Sequence, residues 1–289
     1  MKFKRRIKNL LISLLAEKPK HVTANIIQLA PNELLKGRTA LITGGTSGIG
    51  FSIATAFINA GATVVITGRN EKRVYESCCR LDNETKTHGR AFGIAMDITD
   101  VIKIKSIFEK ILTIVPSNNI DILVNNAGVI GKSGISTISE VDFDSVLETN
   151  LKGPFFLSSV VGAYMRDNKI EGNILNIASS SSLRPANSAY GISKWGMRGF
   201  TLGLAKSLLP YNIVVNGLAP GPTATPMIQS DSSKGIGRNG LLGRMIMPEE
   251  MANMAVIMVS GIGRTIIGDI VYQTTGCGVL TYDDISCKF

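Results

Sequence analysis

Tyr190 and Lys194 are four residues apart, about one helical turn, and their side chains could cooperate in a proton transfer. A four-residue spacing on a helix places both side chains on one face. An ammonium group beside a phenol stabilises the phenolate and lowers its pKa from about 10, which suits a proton donor to a carbonyl oxygen. The same spacing also occurs on ordinary solvated helix faces, so the pair needs companions before it indicates a site.

Hydroxyl and amide side chains are predicted to lie near this pair. The serine run 179–182 follows an apolar strand that ends shortly before Tyr190, and residues 125–128 (Asn-Asn-Ala-Gly) end the preceding strand. Asn150 closes a predicted helix between them. Serine runs and Asn-Gly neighbourhoods are also common in plain loops and turns. Together with Tyr190 and Lys194, however, they predict a cluster at the carboxyl edge of a sheet.

A glycine-rich turn over residues 44–50 predicts a phosphate-binding site. It follows the apolar stretch 38–43, and its glycines stand at 44, 48 and 50. Such a turn lets backbone N–H groups approach an anion at the start of the next helix, whose dipole favours negative charge. A glycine-rich loop without a ligand is the alternative interpretation.

The residues after the second predicted strand indicate which dinucleotide binds. A site selective for NAD carries Asp or Glu about 20 residues beyond the glycine turn, whereas Arg suits the 2′-phosphate of NADP. Here the strand 62–67 is followed by Gly68 and Arg69, without a carboxylate. NADP is therefore predicted, with NAD also usable because no basic residue occupies 45–47. Alternatively, Arg69 is a solvated residue beside the helix cap Asn70.

Alternating apolar strands and helical patterns predict an α/β fold with a doubly wound, parallel, seven-stranded sheet. The predicted strands are 38–43, 62–67, 91–96, 120–125, 172–177, 212–217 and 268–273. The predicted helices are 48–60, 71–82, 100–114, 139–150, 154–168, 188–209 and 248–259. Residues 36–289 form one domain in this interpretation, after an extension over 1–35. The turn-rich segment 222–247 is predicted to be a substrate lid.

The positive charge is concentrated at the N-terminus. The chain has a net charge of +9, of which residues 1–20 carry +6. The globular part therefore gives little support to nucleic-acid binding. Apolar residues recur at helical spacing over residues 3–15, which predicts a basic amphipathic helix. It could lie on an anionic membrane surface, but we favour packing on its own domain or on a neighbouring subunit.

Composition also bears on compartment and metal chemistry. The four cysteines, Cys78, Cys79, Cys277 and Cys287, form no CxxC pair, which is typical of a reducing compartment and predicts a cytoplasmic protein. The two histidines, His21 and His88, are remote from the motifs above. No metal site is predicted. The sequence also has no apolar run long enough to span a bilayer.

Over about residues 36–278 the chain resembles the short-chain dehydrogenase/reductase family. The motifs that carry the resemblance are Thr43-Gly-x-x-x-Gly-x-Gly50, Asp97, Asn125-Asn-Ala-Gly128, Asn150, Ser179, Tyr190-x-x-x-Lys194 and Pro220-Gly221. The resemblance implies interconversion of a small-molecule carbonyl and an alcohol by a homo-oligomer, either a dimer or a tetramer. It implies that Tyr190 is the acid/base and that Lys194 lowers its pKa and holds the nicotinamide ribose. Ser179 would orient the substrate oxygen, and Asn150 would anchor a water relay.

The same resemblance implies a cofactor site. Its residues are Thr43, Gly44, Thr46, Ser47, Gly48, Ile49, Gly50, Arg69, Asp97, Ile98, Asn125, Ala127, Gly128, Tyr190, Lys194, Pro220, Gly221, Thr223 and Thr225. Within this set Asp97 would touch the adenine, Asn125 would line the adenine pocket, and Thr225 would meet the carboxamide.

The chain departs from the family pattern at three places. Ser179 precedes Tyr190 by 11 residues, where relatives more often show 13, so Ser180 is a rival for the catalytic hydroxyl. Thr223 replaces the usual Val or Ile, and residues 273–277 (Gln-Thr-Thr-Gly-Cys) replace the usual Asp-Gly-Gly of the last strand.

Two other functions compete with the reductase interpretation. A sugar-nucleotide epimerase or dehydratase normally has a TGxxGxxG turn and a larger C-terminal region, unlike this chain. A non-catalytic NADP(H)-binding sensor would not need the intact Asn150, Ser179, Tyr190 and Lys194 set.

Overall fold

Seven parallel strands form one sheet in the computed structural model, which describes residues 31–131, 134–229 and 244–278. The strands are β1 (Thr39–Thr43), β2 (Thr63–Gly68), β3 (Ala91–Ala95), β4 (Ile122–Asn125), β5 (Asn173–Ile177), β6 (Val214–Pro220) and β7 (Ile270–Gln273). The strand order is β3-β2-β1-β4-β5-β6-β7. All neighbouring pairs are parallel. The predicted N-terminal helix, residues 230–243 of the predicted lid and Cys287 lie outside the described residues.

Helices cover both faces of the sheet. They are α1 (Gly48–Asn59), α2 (Glu71–Thr85), α3 (Ile104–Ile114), α4 (Glu140–Leu147), α5 (Gly153–Asp167), α6 (Ala189–Leu208), α7 (Pro226–Gln229) and α8 (Pro248–Val259). Every residue of β1 is buried because alternate side chains pack into two separate apolar layers. Helices α1 and α8 cover one face, and α3 and α5 cover the other. The predicted doubly wound α/β fold is confirmed.

The order of the strands determines where a ligand can bind. From β1 the chain proceeds outward through β2 and β3, then returns to the other side of β1 with β4. The connections at the carboxyl ends of β1 and β4 therefore diverge and leave a crevice between them. The glycine-rich turn follows β1, and the Asn-Asn-Ala-Gly segment follows β4, so both border this crevice.

One predicted boundary between helices is wrong. The predicted helix 139–150 does not end at Asn150. Instead, α4 is followed by a π-helical turn, Glu148–Lys152, which leads directly into α5. Pro154, in the first turn of α5, has no N–H to donate to the carbonyl of Asn150 four residues earlier. Gly153 allows the helix to approach the backbone of Ile98, because a Cβ there would collide with the Ile98 carbonyl. Asn150 thus lies inside a wider helical turn, a feature often found at functional sites.

The two described ends of the predicted lid are joined to each other. The backbones of Thr223 and Ile246 form a bridge, and Arg244 makes a bidentate ion pair with Glu250 at 2.7 and 2.8 Å. The lid itself stays a prediction. Within the three described ranges, no helix is long and apolar enough to cross a membrane.

Candidate active site

A cleft of about 390 Å³ lies at the carboxyl edge of the sheet, between the loops that follow β1 and β4. Most of the predicted site residues line it. They are Thr43, Gly44, Thr46, Ser47, Gly48, Ile49, Arg69, Asp97, Ile98, Ala127, Gly128, Tyr190, Lys194, Pro220 and Thr225. The cleft therefore runs from the glycine-rich turn and Arg69 at one end to Tyr190 and Lys194 at the other.

The glycine-rich turn leaves room for an anion at the start of α1. Gly44 and Gly48 have φ of +64° and +57°, and a Cβ on Gly44 would lie 2.9 Å from the Ala127 Cα. The N-cap Ser47 makes no side-chain cap hydrogen bond, and the first turn of α1 holds no acidic residue. The first N–H groups of this helix are thus available to a diphosphate.

Gly50 does not line the cleft, although it belongs to the motif. A Cβ at this position would collide with the Asn126 side-chain amide and the Gly44 carbonyl. Asn126 Nδ2 donates to the carbonyls of Thr43 and Gly44 at 2.9 and 3.1 Å. Gly50 is needed so that α1 can approach this junction, which fixes the turn relative to the end of β4.

The prediction that Asn125 lines the cofactor pocket is wrong. Its side chain is only 2% exposed and lies behind the cleft. It donates to Ser158 Oγ and to Asn176 Oδ1, both at 2.8 Å. Successive side chains on a strand point to opposite sides, so Asn126 lines the cleft instead. Asn125 joins β4, α5 and β5 beneath the site.

Gly221 and Thr223 likewise lie off the cleft. A Cβ on Gly221 would be 2.7 Å from the carbonyl oxygen of Thr274, so this glycine permits close packing with the end of β7. The buried Thr223 hydroxyl donates to the Gly221 carbonyl at 3.0 Å. The two residues shape the loop that brings Thr225 to the cleft, where its methyl group faces Gly48.

Tyr190 and Lys194 lie in the first two turns of α6, which begins after the N-cap Ser188. The Ser188 hydroxyl accepts from the Gly191 N–H at 3.2 Å. The Tyr190 hydroxyl is hydrogen-bonded to the Ser179 side chain. Lys194 Nζ donates to the carbonyl of Ile177 at 2.9 Å and lies 5.6 Å from the centre of the Tyr190 ring. The predicted pair is therefore assembled at the end of β5.

The pKa of Tyr190 does not follow the prediction. Residue Tyr190 is half-buried, but burial of its hydroxyl group raises the pKa, and the hydrogen bond with Ser179 lowers it by less. Burial also lowers the pKa of Lys194 to about 8. The ammonium group is directed to the Ile177 carbonyl, so desolvation outweighs the expected stabilisation of the phenolate.

Asn150 supports the site without lining it. Its side chain is 1% exposed and exchanges two hydrogen bonds with the backbone of Val129, at 2.8 and 2.9 Å. It also donates to Ser193 Oγ at 3.1 Å, and Ser193 in turn donates to the carbonyl of Tyr190. Asn150 thus connects the loop after β4 to the first turn of α6.

The contacts of the serine run favour Ser179 over Ser180. Ser179 Oγ accepts from the Ser181 N–H at 3.1 Å and is hydrogen-bonded to Tyr190. The buried Ser182 hydroxyl donates to the Ser179 carbonyl at 2.7 Å and lies 3.1 Å from the Tyr272 hydroxyl. A short 3₁₀ turn, Ser180–Leu183, lies in the segment between Ser179 and Tyr190, whose spacing is shorter than in most relatives.

Arg73 is a further candidate site residue that no sequence motif predicted. It lies in the first turn of α2 and lines the same end of the cleft as Arg69. Both side chains are exposed, and neither forms an ion pair with another described residue. The N-cap Asn70 side chain accepts from the Arg73 N–H at 2.9 Å, which fixes this turn. The spacing of Arg69 and Arg73, across a helix start, was the available signal.

The lowered pKa of Lys194 predicts a specific dependence of stability on pH. The native protein loses this proton near pH 8, whereas the unfolded chain keeps it to about 10.4. Between these values the unfolded state binds more protons at Lys194, so the contribution of this residue to the free energy of unfolding rises with pH, by at most about 1.4 kcal/mol per unit. Denaturant unfolding of the ligand-free protein at pH 7 to 10 measures the free energy of unfolding. Lys194→Met should abolish the rise, and an identical pH dependence in both proteins would contradict the assignment.

The site's donors fit a nicotinamide dinucleotide. Free N–H groups face the place for a diphosphate, two arginines flank one end, and Tyr190 stands at the other. Within the described ranges, no group of three or more His, Cys, Asp and Glu residues could hold a metal ion.

Comparisons with known proteins agree with this geometry. The family model described as short chain dehydrogenase matches residues 38–235. The chain is 34% identical over 249 residues to a 3-oxoacyl-acyl-carrier-protein reductase of Aquifex aeolicus, covering 84% of this chain and 98% of the relative. It is 31% identical to a cyclopentanol dehydrogenase of Comamonas testosteroni, covering 77% of this chain and 90% of the relative.

Solved structures show the same fold. A putative gluconate dehydrogenase from Agrobacterium tumefaciens has a TM-score of 0.78 at 27% identity, covering 85% of this chain and 98% of its own. A putative NAD(P)-dependent gluconate 5-dehydrogenase from Beutenbergia cavernae, solved with bound NADP at low occupancy, has a TM-score of 0.77 at 30% identity. This second match covers 86% of this chain and 98% of the solved chain. The chain therefore belongs to the short chain dehydrogenase family and is an NAD(P)-dependent oxidoreductase.

Proposed function

We propose that this protein interconverts a ketone or aldehyde and the corresponding alcohol, with NADP(H) as its preferred cofactor. The observation that carries the proposal is the cleft that joins the glycine-rich turn and two arginines to Tyr190, which is hydrogen-bonded to Ser179 beside the cleft. The catalytic set is Tyr190, Lys194, Ser179 and Asn150. Reduction of the carbonyl is the favoured direction.

The chain's own residues supply the proton and the orientation. When bound, the nicotinamide supplies the hydride for the carbonyl carbon. The Ser179 hydroxyl holds the carbonyl oxygen of the substrate, and Tyr190 donates its phenolic proton to that oxygen. The raised pKa of Tyr190 keeps this proton in place at neutral pH. Lys194, still charged below about pH 8, stabilises the phenolate that is left.

Asn150 acts as a positioning residue in this proposal. Its bonds to Val129 and Ser193 hold the loop after β4 and the helix turn that carries Tyr190 at a fixed distance. The carbonyl oxygen of Asn150 cannot accept a hydrogen bond from Pro154, and in this proposal it holds a bridging water, as a proton relay requires.

The end of the cleft beside β2 supports NADP over NAD. Arg69 and Arg73 can form charge-assisted hydrogen bonds with a 2′-phosphate. The residues at the end of β2, Thr67 and Gly68, provide no carboxylate for the ribose hydroxyls of NAD. No group there blocks NAD, so we expect a preference and not exclusivity.

The proposed partners are a small-molecule substrate and further copies of the chain. Large apolar side chains are exposed on α5 and α6, with 50% of Phe155, 43% of Phe156 and 50% of Leu202 accessible. This surface supports a homo-oligomer, either a dimer or a tetramer. The free thiols of Cys78, Cys79 and Cys277 support a cytoplasmic location.

A panel of carbonyl compounds tests the proposed function. Ketones, aldehydes, acyl thioesters, sugars, steroids and quinones are each incubated with the protein and NADPH or NADH, and loss of nicotinamide absorbance is recorded. At least one class should be reduced, faster with NADPH. Bound NADPH without turnover of any class would favour a non-catalytic sensor and contradict the proposal.

A further inference from the structure

A groove separate from the catalytic residues lies between α1 and α8, with a volume of about 850 Å³. Buried apolar side chains form its floor, among them Phe51, Ala252 and Val256. Half-buried Leu34 and Ile257, which is 37% exposed, form parts of its walls. We call this the α1–α8 groove. A surface groove with an apolar floor and a polar rim is a common binding place for an amphipathic element.

The described chain begins at this groove. Asn32 and Leu34, which follow the first thirty residues, both line it. The Leu35 N–H donates to the carbonyl of Ala60 at 2.8 Å, which fixes this entry beside the C-terminal end of α1. Residues 1–30 therefore join the domain at one end of the groove.

The length of the preceding segment is sufficient to reach along the groove. Fifteen residues separate Leu15 from Pro31 and could span up to about 50 Å when extended. Helix α1, with 12 residues, is only about 18 Å long. The amphipathic pattern over residues 3–15 can thus be placed against the full length of α1 and α8.

The N-terminal segment and the rim of the groove also carry opposite charges. Residues 1–20 carry a net charge of +6. The rim of the groove holds Glu249, which forms no ion pair with any described residue and has only Ser52 Oγ, at 3.5 Å, as a hydrogen-bond partner among them. Glu84, also on the rim, is paired with Arg80 at 3.2 Å. Glu249 is therefore the carboxylate on the rim with which a basic helix could form an ion pair.

We propose that residues 3–15 bind in the α1–α8 groove of their own chain as an amphipathic helix. The apolar residues Phe3, Ile7, Leu10, Leu11, Leu14 and Leu15 face Phe51, Ala252 and Val256. Lysines or arginines of the same helix lie near Glu249. The N-terminal segment is then an intramolecular cover and not a membrane anchor. The inference does not depend on the proposed reaction.

Zero-length carbodiimide cross-linking of the full-length protein, read by mass spectrometry, tests the docking. A mixture of unlabelled and ¹⁵N-labelled chains separates links within a chain from links between chains. We expect links from lysines of residues 2–20 to Glu249 within one chain. Glu109, exposed on α3 across the sheet, is the internal control and should not be linked.

A matched pair of variants tests the apolar contact. Leu10→Asp should lower the yield of the Glu249 link about tenfold, because burial of one leucine favours docking by that factor or more. Asn9→Asp introduces the same charge on another face and should leave the yield within about twofold.

Three results would overturn the docking proposal. They are links chiefly between chains, equal linking of Glu109 and Glu249, and flotation of the full-length protein with phosphatidylserine-containing vesicles. The first indicates docking on a second copy, the second a segment without a fixed position, and the third a membrane-bound helix.

Discussion

The Tyr190→Phe protein is expected to turn over its best carbonyl substrate about 100-fold more slowly than the wild type, or slower still. The change removes the phenolic proton donor that is hydrogen-bonded to Ser179, and loss of a general acid costs a factor of about 100 to 10,000. Phenylalanine keeps the ring that packs beside Lys194. The measurement is kcat at saturating NADPH, with NADPH affinity determined separately by fluorescence titration.

Cofactor affinity should change little in this variant, which separates chemistry from binding. Ser179→Ala and Ser180→Ala provide a matched pair at the neighbouring hydroxyls, because both serines are nearly buried. Only Ser179→Ala should lower kcat strongly, since Ser179 alone of the two is bonded to Tyr190. Wild-type turnover by Tyr190→Phe would refute the mechanism, and a greater loss in Ser180→Ala would transfer the role of substrate orientation to Ser180.

The Arg69→Ala, Arg73→Ala double variant is expected to lose about 100-fold in kcat/KM with NADPH. Each charge-assisted hydrogen bond to a phosphate contributes about 1.5 to 3 kcal/mol, and partial exposure of both side chains reduces their sum. With NADH, which lacks the phosphate, kcat/KM should stay within about threefold. The ratio of the two values is the measurement, taken at fixed ionic strength.

Lys72→Ala is the matched control for this pair. Lys72 is an exposed cation in the same turn of α2, but it does not line the cleft. Its removal should leave the NADPH to NADH ratio unchanged, because general electrostatic attraction at this distance is screened by salt. A wild type that prefers NADH would overturn the cofactor assignment and leave the proposed hydride-transfer chemistry standing.

The arginine variants test the cofactor preference more specifically than a carboxylate placed at Gly68. An ideal Cβ on Gly68 lies 3.0 Å from the Thr46 methyl group and 3.4 Å from a Val74 methyl group. Gly68→Asp would therefore shift the glycine-rich turn as well as introduce a charge. A loss of NADPH affinity in that variant would have two causes.

The fold and the order of the motifs along it follow from the amino-acid sequence without further information. Strands buried on both faces must be continuously apolar, so residues such as 64–66 and 122–124 were recognisable without tertiary information. Glycines at 44 and 48 were recognisable because only glycine adopts their positive φ without strain. The carboxyl ends of parallel strands share one edge, which brought Ser179 and Tyr190 into one site.

The directions and contacts of individual side chains depend on the tertiary fold. At the end of β4, Asn126 and not the predicted Asn125 lines the cleft, and a π turn carries Asn150 through one continuous helix. Arg73 reaches the cleft because α2 starts just beyond Arg69. The pKa of Tyr190 depends on burial, which local spacing does not encode. Local sequence sets backbone conformation, whereas solvation and side-chain partners come from residues far apart in the chain.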